Sequence, residues 1–205
     1  MSYEGLPHLN WLEPPEERES ARHISTQLAM LGHFMGQFAS ADELIAHVET
    51  VVAYGIQTGM PIEQRARVAN WSIQAAHYAV LSVYHFRATI ASIRANLRLC
   101  PKLKGQVDTA AIEHAFNSVD DVFPDWRELR DGVAHFADWI FSPEKLEANI
   151  AEGGFAHGVM MGRALVFTYQ GKRIHQTVSP VELSKLENIK REVYGAFRKV
   201  DQRLR

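Results

Sequence analysis

The stretch from residue 62 to residue 99 contains neither proline nor glycine. Its apolar residues recur every three or four positions, which is the spacing that places side chains on one face of an α-helix. Pro61 precedes the stretch and Pro101 follows it, so residues that interrupt helices bound it on both sides. We therefore expect one very long helix at the centre of a helical bundle. Its apolar stripe consists of Val68, Trp71, Ala75, Ala79, Val83, Phe86, Ile90, Ile93 and Leu97.

Two helices are expected before the long one. The first has an apolar stripe between residues 24 and 35. Ser40 and Glu43 have the spacing of a capping box, in which a side chain and the backbone satisfy each other's hydrogen bonds at a helix start. This spacing predicts that a second helix begins at Ser40 and ends at Gly55 or Gly59.

Further helices are expected after the long one. Asp108 can cap a helix that runs to about Val119. The segment "WRELRDGVAHFADWI", from Trp126 to Ile140, has apolar residues along one helical stripe, and a short helix should follow Pro143.

The character of the sequence changes after residue 154. The runs "RALVFTY" and "KRIHQTVS" are β-prone and are joined by Gln170-Gly171, which predicts a hairpin, with a third strand around residues 159–161. Ser179-Pro180 followed by Glu182 is a strong helix start.

These patterns predict a mainly α protein, an up-and-down helical bundle with a small β-hairpin or three-stranded element and a C-terminal helix. We expect a single domain over residues 1–205. Within it, residues 20–151 would form the bundle, residues 155–178 the β element and residues 179–205 an amphipathic helix.

Composition excludes several classes of protein. No apolar run approaches the roughly eighteen residues that a membrane span needs, and the N-terminus lacks the pattern of a secretory signal. Cys100 is the single cysteine, so no disulfide can form within the chain and a cytoplasmic location is expected. The formal net charge of -2 argues against binding nucleic acid through a broad basic surface, although a local contact remains open.

The segment that begins at Trp126 carries a polar cluster. Asp131 and His135 are four residues apart, so on a helix the carboxylate could orient the imidazole, and Arg130 is long enough to reach around the helix. Gly132 costs about 1 kcal/mol in a helix interior relative to alanine, which suggests that another group approaches closely there. Residues of the long helix could line a cleft beside Arg130; the candidates are His77, His85, Tyr78, Tyr84 and Arg87.

The run Arg130-Asp131-Gly132-Val133-Ala134-His135 resembles the R-polar-x-x-x-H motif of HEPN domains, helical bundles found in toxin–antitoxin and other defence-related ribonucleases. The resemblance implies a homodimer that brings two motifs together. It also implies an RNA substrate, a metal-independent reaction without a cofactor, and an antitoxin partner such as a minimal nucleotidyltransferase. Arg130 would stabilise phosphate charge, His135 would act as general base or acid, and Asp131 stands where asparagine is commonest.

Other interpretations stay open. Arg130 and His135 could be surface residues opposite the core, or the segment could serve a non-catalytic module for dimerisation, nucleotide binding or protein binding. A small-molecule enzyme with a histidine-lined pocket is a third possibility. A second Arg-x4-His run, Arg18 to His23, lies in a charged stretch where no cleft is expected. The Glu-x-x-His and His-Glu-x-x-His spacings are absent, so no metal site is expected.

Overall fold

The computed structural model describes residues 7, 9, 14–135, 142–151, 154 and 156–201. The fold is mainly α with one small antiparallel sheet, as predicted. The described helices are a 3-10 turn at Pro15–Glu17, α1 (Arg18–Gln57), α2 (Ile62–Arg98), α3 (Pro101–Lys104), α4 (Thr109–Val122), α5 (Trp126–Ala134), α6 (Pro143–Ala148) and α7 (Pro180–Ala196). The strands are β1 (His157–Met161), β2 (Ala164–Tyr169) and β3 (Lys172–Thr177).

The predicted long helix is confirmed as α2, whereas the predicted break at Ser40 is wrong. Helix α1 is continuous from Arg18 to Gln57, and Ser40 is exposed in its interior. A serine three residues before a glutamate caps a helix only where the chain leaves helical geometry, and no proline forces it to do so here. The apolar stripe instead runs on through Phe38, Ala41 and Ile45, which are buried.

The expected end of the second predicted helix is confirmed at the C-terminus of α1. The N–H of Met60 donates to the carbonyl of Gly55 at 2.7 Å, and the N–H of Gly59 donates to that of Ile56 at 3.4 Å. Gly59 has φ +74, the left-handed conformation that this type of helix end requires. Pro61 then directly precedes α2.

The chain divides into two compact units. The first unit comprises Met1–Gly36, His85–Val122 and Ser184–Arg205, and the second comprises Gln37–Tyr84 and Phe123–Leu183. Helices α1 and α2 therefore contribute to both.

The first unit combines side-chain caps at the starts of α3 and α4 with a core of fully buried aliphatic and aromatic side chains. The carboxylate of buried Glu17 accepts the N–H groups of Lys102 at 2.8 Å and Leu103 at 3.1 Å, and so caps the start of α3. As predicted, Asp108 caps α4, since its Oδ1 accepts the N–H of Ala111 at 3.1 Å. The core includes Ile24, Leu28, Leu31, Phe86, Ile90, Ile93, Ile112, Val193 and Phe197.

The second unit contains the sheet, whose strand order is β1-β2-β3. The hairpin between β2 and β3 turns at Gln170 (φ 47) and Gly171 (φ 74), as the sequence predicts, and both have the positive φ of a type I′ turn. The third strand is confirmed as β1, which pairs with β2 through a register irregularity between His157 and Val159. Helix α5 packs against all three strands.

Arg163 ties the connection between β1 and β2 to α1 in the second unit. Its guanidinium donates to the carboxylate of Asp42, to Glu49 Oε2 at 2.8 Å and to the carbonyl of Val178 at 3.0 Å. The Asp42 side chain is 12% exposed, so its carboxylate has little contact with water. Arg163 compensates its charge.

The C-terminal helix starts as predicted and ends earlier than predicted. Ser179 Oγ accepts the N–H of Val181 at 3.2 Å and also bonds the Glu182 carboxylate. Helix α7 ends at Ala196, after which bonds between residues three apart form tight turns up to Val200. Gly195 weakens the helix at this point. Residues 202–205, the end of the predicted amphipathic helix, lie outside the described residues.

None of the helices in the described part of the chain is both long enough and apolar enough to cross a membrane.

Candidate functional site

Helix α5 of the second unit places the predicted site residues. Its buried side is formed by Trp126, Leu129 and Gly132, and this side accounts for the apolar half of the predicted stripe. Gly132 lies on the buried side of this helix, which packs against the sheet. The continuation of the predicted helix, from Phe136 to Ile140, lies outside the described residues.

Arg130 is held by two partners. Its Nη1 donates to Asp131 Oδ1 at 2.5 Å, and its Nη2 donates to the Tyr84 hydroxyl at 3.3 Å. The guanidinium carbon also lies 4.6 Å from the centroid of the Tyr84 ring, within the range of a cation–π contact. Tyr84 comes from α2, so a residue 46 positions away orients the arginine.

Both charged side chains at this position are accessible to solvent. The Arg130 side chain is 34% exposed and that of Asp131 is 36% exposed. Hydrogen bonds to Tyr84 and then to Asp131 raise the pKa of Arg130 above its usual value, and burial opposes this only in part. The guanidinium therefore stays charged throughout the physiological range. An exposed pair of this kind stabilises a fold by about 1 kcal/mol or less, so its role in stability is small.

Aromatic rings extend the site along α5. The rings of Tyr84 and Trp126 lie 5.9 Å apart, and the guanidinium of Arg127 lies 5.2 Å from the Trp126 ring. Two arginines and two aromatic rings thus form a short row in the second unit, consisting of Arg127, Trp126, Tyr84 and Arg130. Trp126 is buried and supports the row from below, so contact with a phosphate would fall to the solvent-accessible guanidinium groups.

His135 lies at the C-terminal end of α5. It is the C-cap residue, with φ -113, and its backbone N–H donates to the carbonyl of Asp131 at 2.9 Å. The residue is exposed. The Asp131 carboxylate bonds Arg130, so the described link between Asp131 and His135 runs through the backbone.

The expected residues of the long helix have different surroundings within the described part of the chain. Of the candidates, Tyr84 contacts Arg130. Arg87 instead binds Asp120 of the first unit through two bonds of 2.6 and 2.7 Å, and His85 stacks on Phe34 of that unit. His77 stacks on Phe167 of the sheet at a centroid distance of 6.3 Å. Tyr78 is 65% exposed.

Metal ligands were not expected from the sequence. Within the part of the chain that the structure describes, no group of three or more histidine, cysteine, aspartate or glutamate residues could hold a metal ion.

Comparison of the chain with protein-family models, with curated proteins and with solved structures found no match.

Proposed function

We propose that this chain is a HEPN-like, metal-independent endoribonuclease whose working site is formed by Arg130 and His135 from two copies of the chain. One observation carries the proposal: α5 presents a charged, accessible guanidinium that Tyr84 orients, and an exposed histidine follows at the end of the same helix. The motif resemblance supplies the dimer and the RNA substrate.

Arg130 has N–H donors that are not used on the partners described above. A guanidinium carries five N–H donors, and Arg130 uses two of them on described partners, one on Asp131 and one on Tyr84. The remaining donors can form the bidentate contact that arginine makes with a phosphate. The stacking on Tyr84 fixes the plane of the guanidinium, so less conformational freedom is lost when the phosphate binds.

Histidine supplies the proton transfers. A base removes the proton of the RNA 2′-hydroxyl as its oxygen attacks the adjacent phosphorus, and an acid protonates the 5′-oxygen that leaves. Histidine is the side chain that most often carries out such transfers, and it can serve in either role. One histidine cannot perform both at the same moment, whereas two protomers supply two. Arg130 would stabilise the charge that accumulates on the phosphoryl oxygens.

The carboxylate of Asp131 opposes the binding of a phosphate at Arg130. Its carboxylate accepts a hydrogen bond from the guanidinium that would bind the phosphate, and it adds a negative charge beside an anionic substrate. The same observation favours the second candidate function, a non-catalytic HEPN-like module that uses this surface to bind a nucleotide or a protein partner.

The decisive experiment measures cleavage of a fluorescent single-stranded RNA in the presence of a chelator. We expect His135→Ala and Arg130→Ala each to slow cleavage by about 100-fold or more, since general acid–base and electrostatic terms are of that size. Asp131→Asn should preserve or raise the rate because it removes the competing charge. His47→Ala is the matched control, since His47 is exposed on α1.

Cleavage that persists unchanged in His135→Ala would contradict the ribonuclease. RNA or partner binding that survives in that variant, with no cleavage in the wild type, would establish the binding module instead.

A further inference from the structure

The first unit contains a cavity of about 370 Å³ between the end of α2, the end of α3 and the start of α4. A volume of this size lies in the range that accommodates a small-molecule ligand. Its wall includes Leu97 and Ile112, which are almost completely buried and form an apolar floor. The remaining lining is largely charged.

Three cations and one carboxylate line the cavity, which gives it a formal charge of +2: Arg94, Arg98 and Lys104 against Glu113. The carboxylate is already engaged, because Glu113 forms an ion pair with Arg94. Arg94 is held in place further by the ring of Phe116, whose centroid lies 4.2 Å from the guanidinium carbon. The Arg94 side chain is therefore fixed as part of the cavity wall.

Arg98 and Lys104 differ from Arg94. Both are exposed, and neither has an acidic partner among the residues that the structure describes. Arg98 is the last residue of α2, where a positive charge also favours the carbonyl end of the helix. Two cations that line one cavity and have no described carboxylate partner are suited to an anion that can accept hydrogen bonds from both.

We propose that this cavity binds a small ligand through a terminal diphosphate group. Adjacent phosphoryl groups match the two unpaired cations and the charge of the cavity, and an organic part of the ligand would lie on Leu97 and Ile112. An extended polyanion fits less well, because α4 continues from the cavity into the acidic residues Asp120 and Asp121. This inference does not depend on the ribonuclease proposal, since the cavity belongs to the first unit and α5 to the second.

The test is isothermal titration of the full chain with pyrophosphate and, separately, with ADP, at a salt concentration near 0.15 M that screens non-specific attraction. Pyrophosphate should bind, and Arg98→Ala and Lys104→Ala should each weaken its affinity by about tenfold, as expected for loss of one charge-assisted hydrogen bond. Tighter binding of ADP would show that the apolar floor contributes; equal binding would show recognition of the diphosphate alone.

Two matched variants separate a site from a surface charge effect. Lys102→Ala removes the same charge from the same short helix, but Lys102 does not line the cavity, so affinity should stay unchanged. Ala110→Phe fills the cavity from an exposed position in the first turn of α4 without changing its charge, and should abolish binding. Thermal melts of each variant confirm that it is folded.

The proposal would be overturned by no binding of either ligand to the wild type, by an equal loss of affinity in Lys102→Ala and Lys104→Ala, or by undiminished binding to Ala110→Phe. Displacement of pyrophosphate by a single-stranded RNA without terminal phosphates would also overturn it, because the surface would then serve a polymer.

Discussion

At the scale of single residues, His77 shows how burial changes the pKa of a titratable group. The sequence shows that the histidine is present but not that it is buried. Its ring stacks on Phe167 within the second unit, and desolvation lowers the pKa of His77 from the ordinary value of 6.5. The neutral imidazole is the form that the folded state favours. The sequence offers His77 as a candidate for a cleft beside Arg130, and the structure places its ring against the sheet.

This lowered pKa predicts a loss of stability in acid. Between the lowered pKa and 6.5 the unfolded chain binds more protons than the folded chain, so the free energy of unfolding falls as pH drops below 6.5. The contribution cannot exceed about 1.4 kcal/mol per pH unit. Urea unfolding of wild type and His77→Phe between pH 7.5 and 5.5 measures it: the variant should show the shallower pH dependence. His47→Gln, at an exposed position, should follow the wild type; a His77→Phe curve parallel to wild type would refute the assignment.

Arg130 illustrates what a residue pattern can and cannot specify. Arg130, Asp131 and His135 can be predicted as a group because they are close along the chain. The contact between Arg130 and Asp131 follows from their adjacency. Several residues of α2 are also candidates for neighbours of Arg130, but helical spacing does not determine which of them contacts it. The choice of Tyr84 depends on how α2 and α5 pack in the second unit, which is a long-range property.

At the scale of elements, α1 and α4 provide a direct test of capping. Asp108 caps α4 through the N–H of Ala111, whereas Ser40 lies within α1. Asp108→Ala should lower the free energy of unfolding by about 1 kcal/mol. Ser40→Ala should be neutral or stabilising by a few tenths of a kcal/mol, because alanine has the higher helix propensity. Urea denaturation midpoints distinguish the two. A cost near 1 kcal/mol for Ser40→Ala would mean that a helix does begin there.

The elements that were predicted correctly are those with local signals. Gly59, Asp108, Ser179 and the turn at Gln170-Gly171 each act through the backbone within a few residues, so their effect is visible in the sequence. The break at Ser40 was predicted wrongly because a capping signal competes with an apolar stripe that continues past it. Long-range contacts such as that between Arg163 and Asp42, 121 residues apart, leave no comparable local signal.

The contact between Arg163 and Asp42 should contribute to the stability of the second unit. Arg163→Met keeps most of the aliphatic stem but leaves the nearly buried Asp42 carboxylate without its cation. We expect the free energy of unfolding to fall by about 2–4 kcal/mol, which chemical denaturation can measure. The double variant Arg163→Met with Asp42→Asn should recover part of the loss because no isolated charge remains. Arg173→Met on the exposed side of β3 is the control and should cost little. Equal stability of Arg163→Met and wild type would show that water replaces the arginine.

At the scale of the whole molecule, the formal charge of -2 limits how RNA could be bound. A chain with a slight excess of acidic residues has no net attraction for a phosphate backbone, so affinity would have to come from local contacts such as those of Arg127 and Arg130 on α5. A single row with one histidine provides too few groups for the reaction proposed. Bringing two copies together doubles the arginines and supplies the second histidine.

A dimer of wild-type and His135→Ala chains tests whether the two histidines work together. With distinct affinity tags the mixed dimer can be purified, and light scattering gives its mass. If one imidazole acts as base and the other as acid in a shared groove, the mixed dimer should cleave RNA at about one tenth of the wild-type rate or less, because one of the two proton transfers loses its catalyst. If each protomer carries a self-sufficient site, the mixed dimer retains half of the activity. Half activity, or a wild-type chain that cleaves RNA as a monomer, would exclude the composite site while leaving Arg130 and His135 as catalytic residues of an independent one.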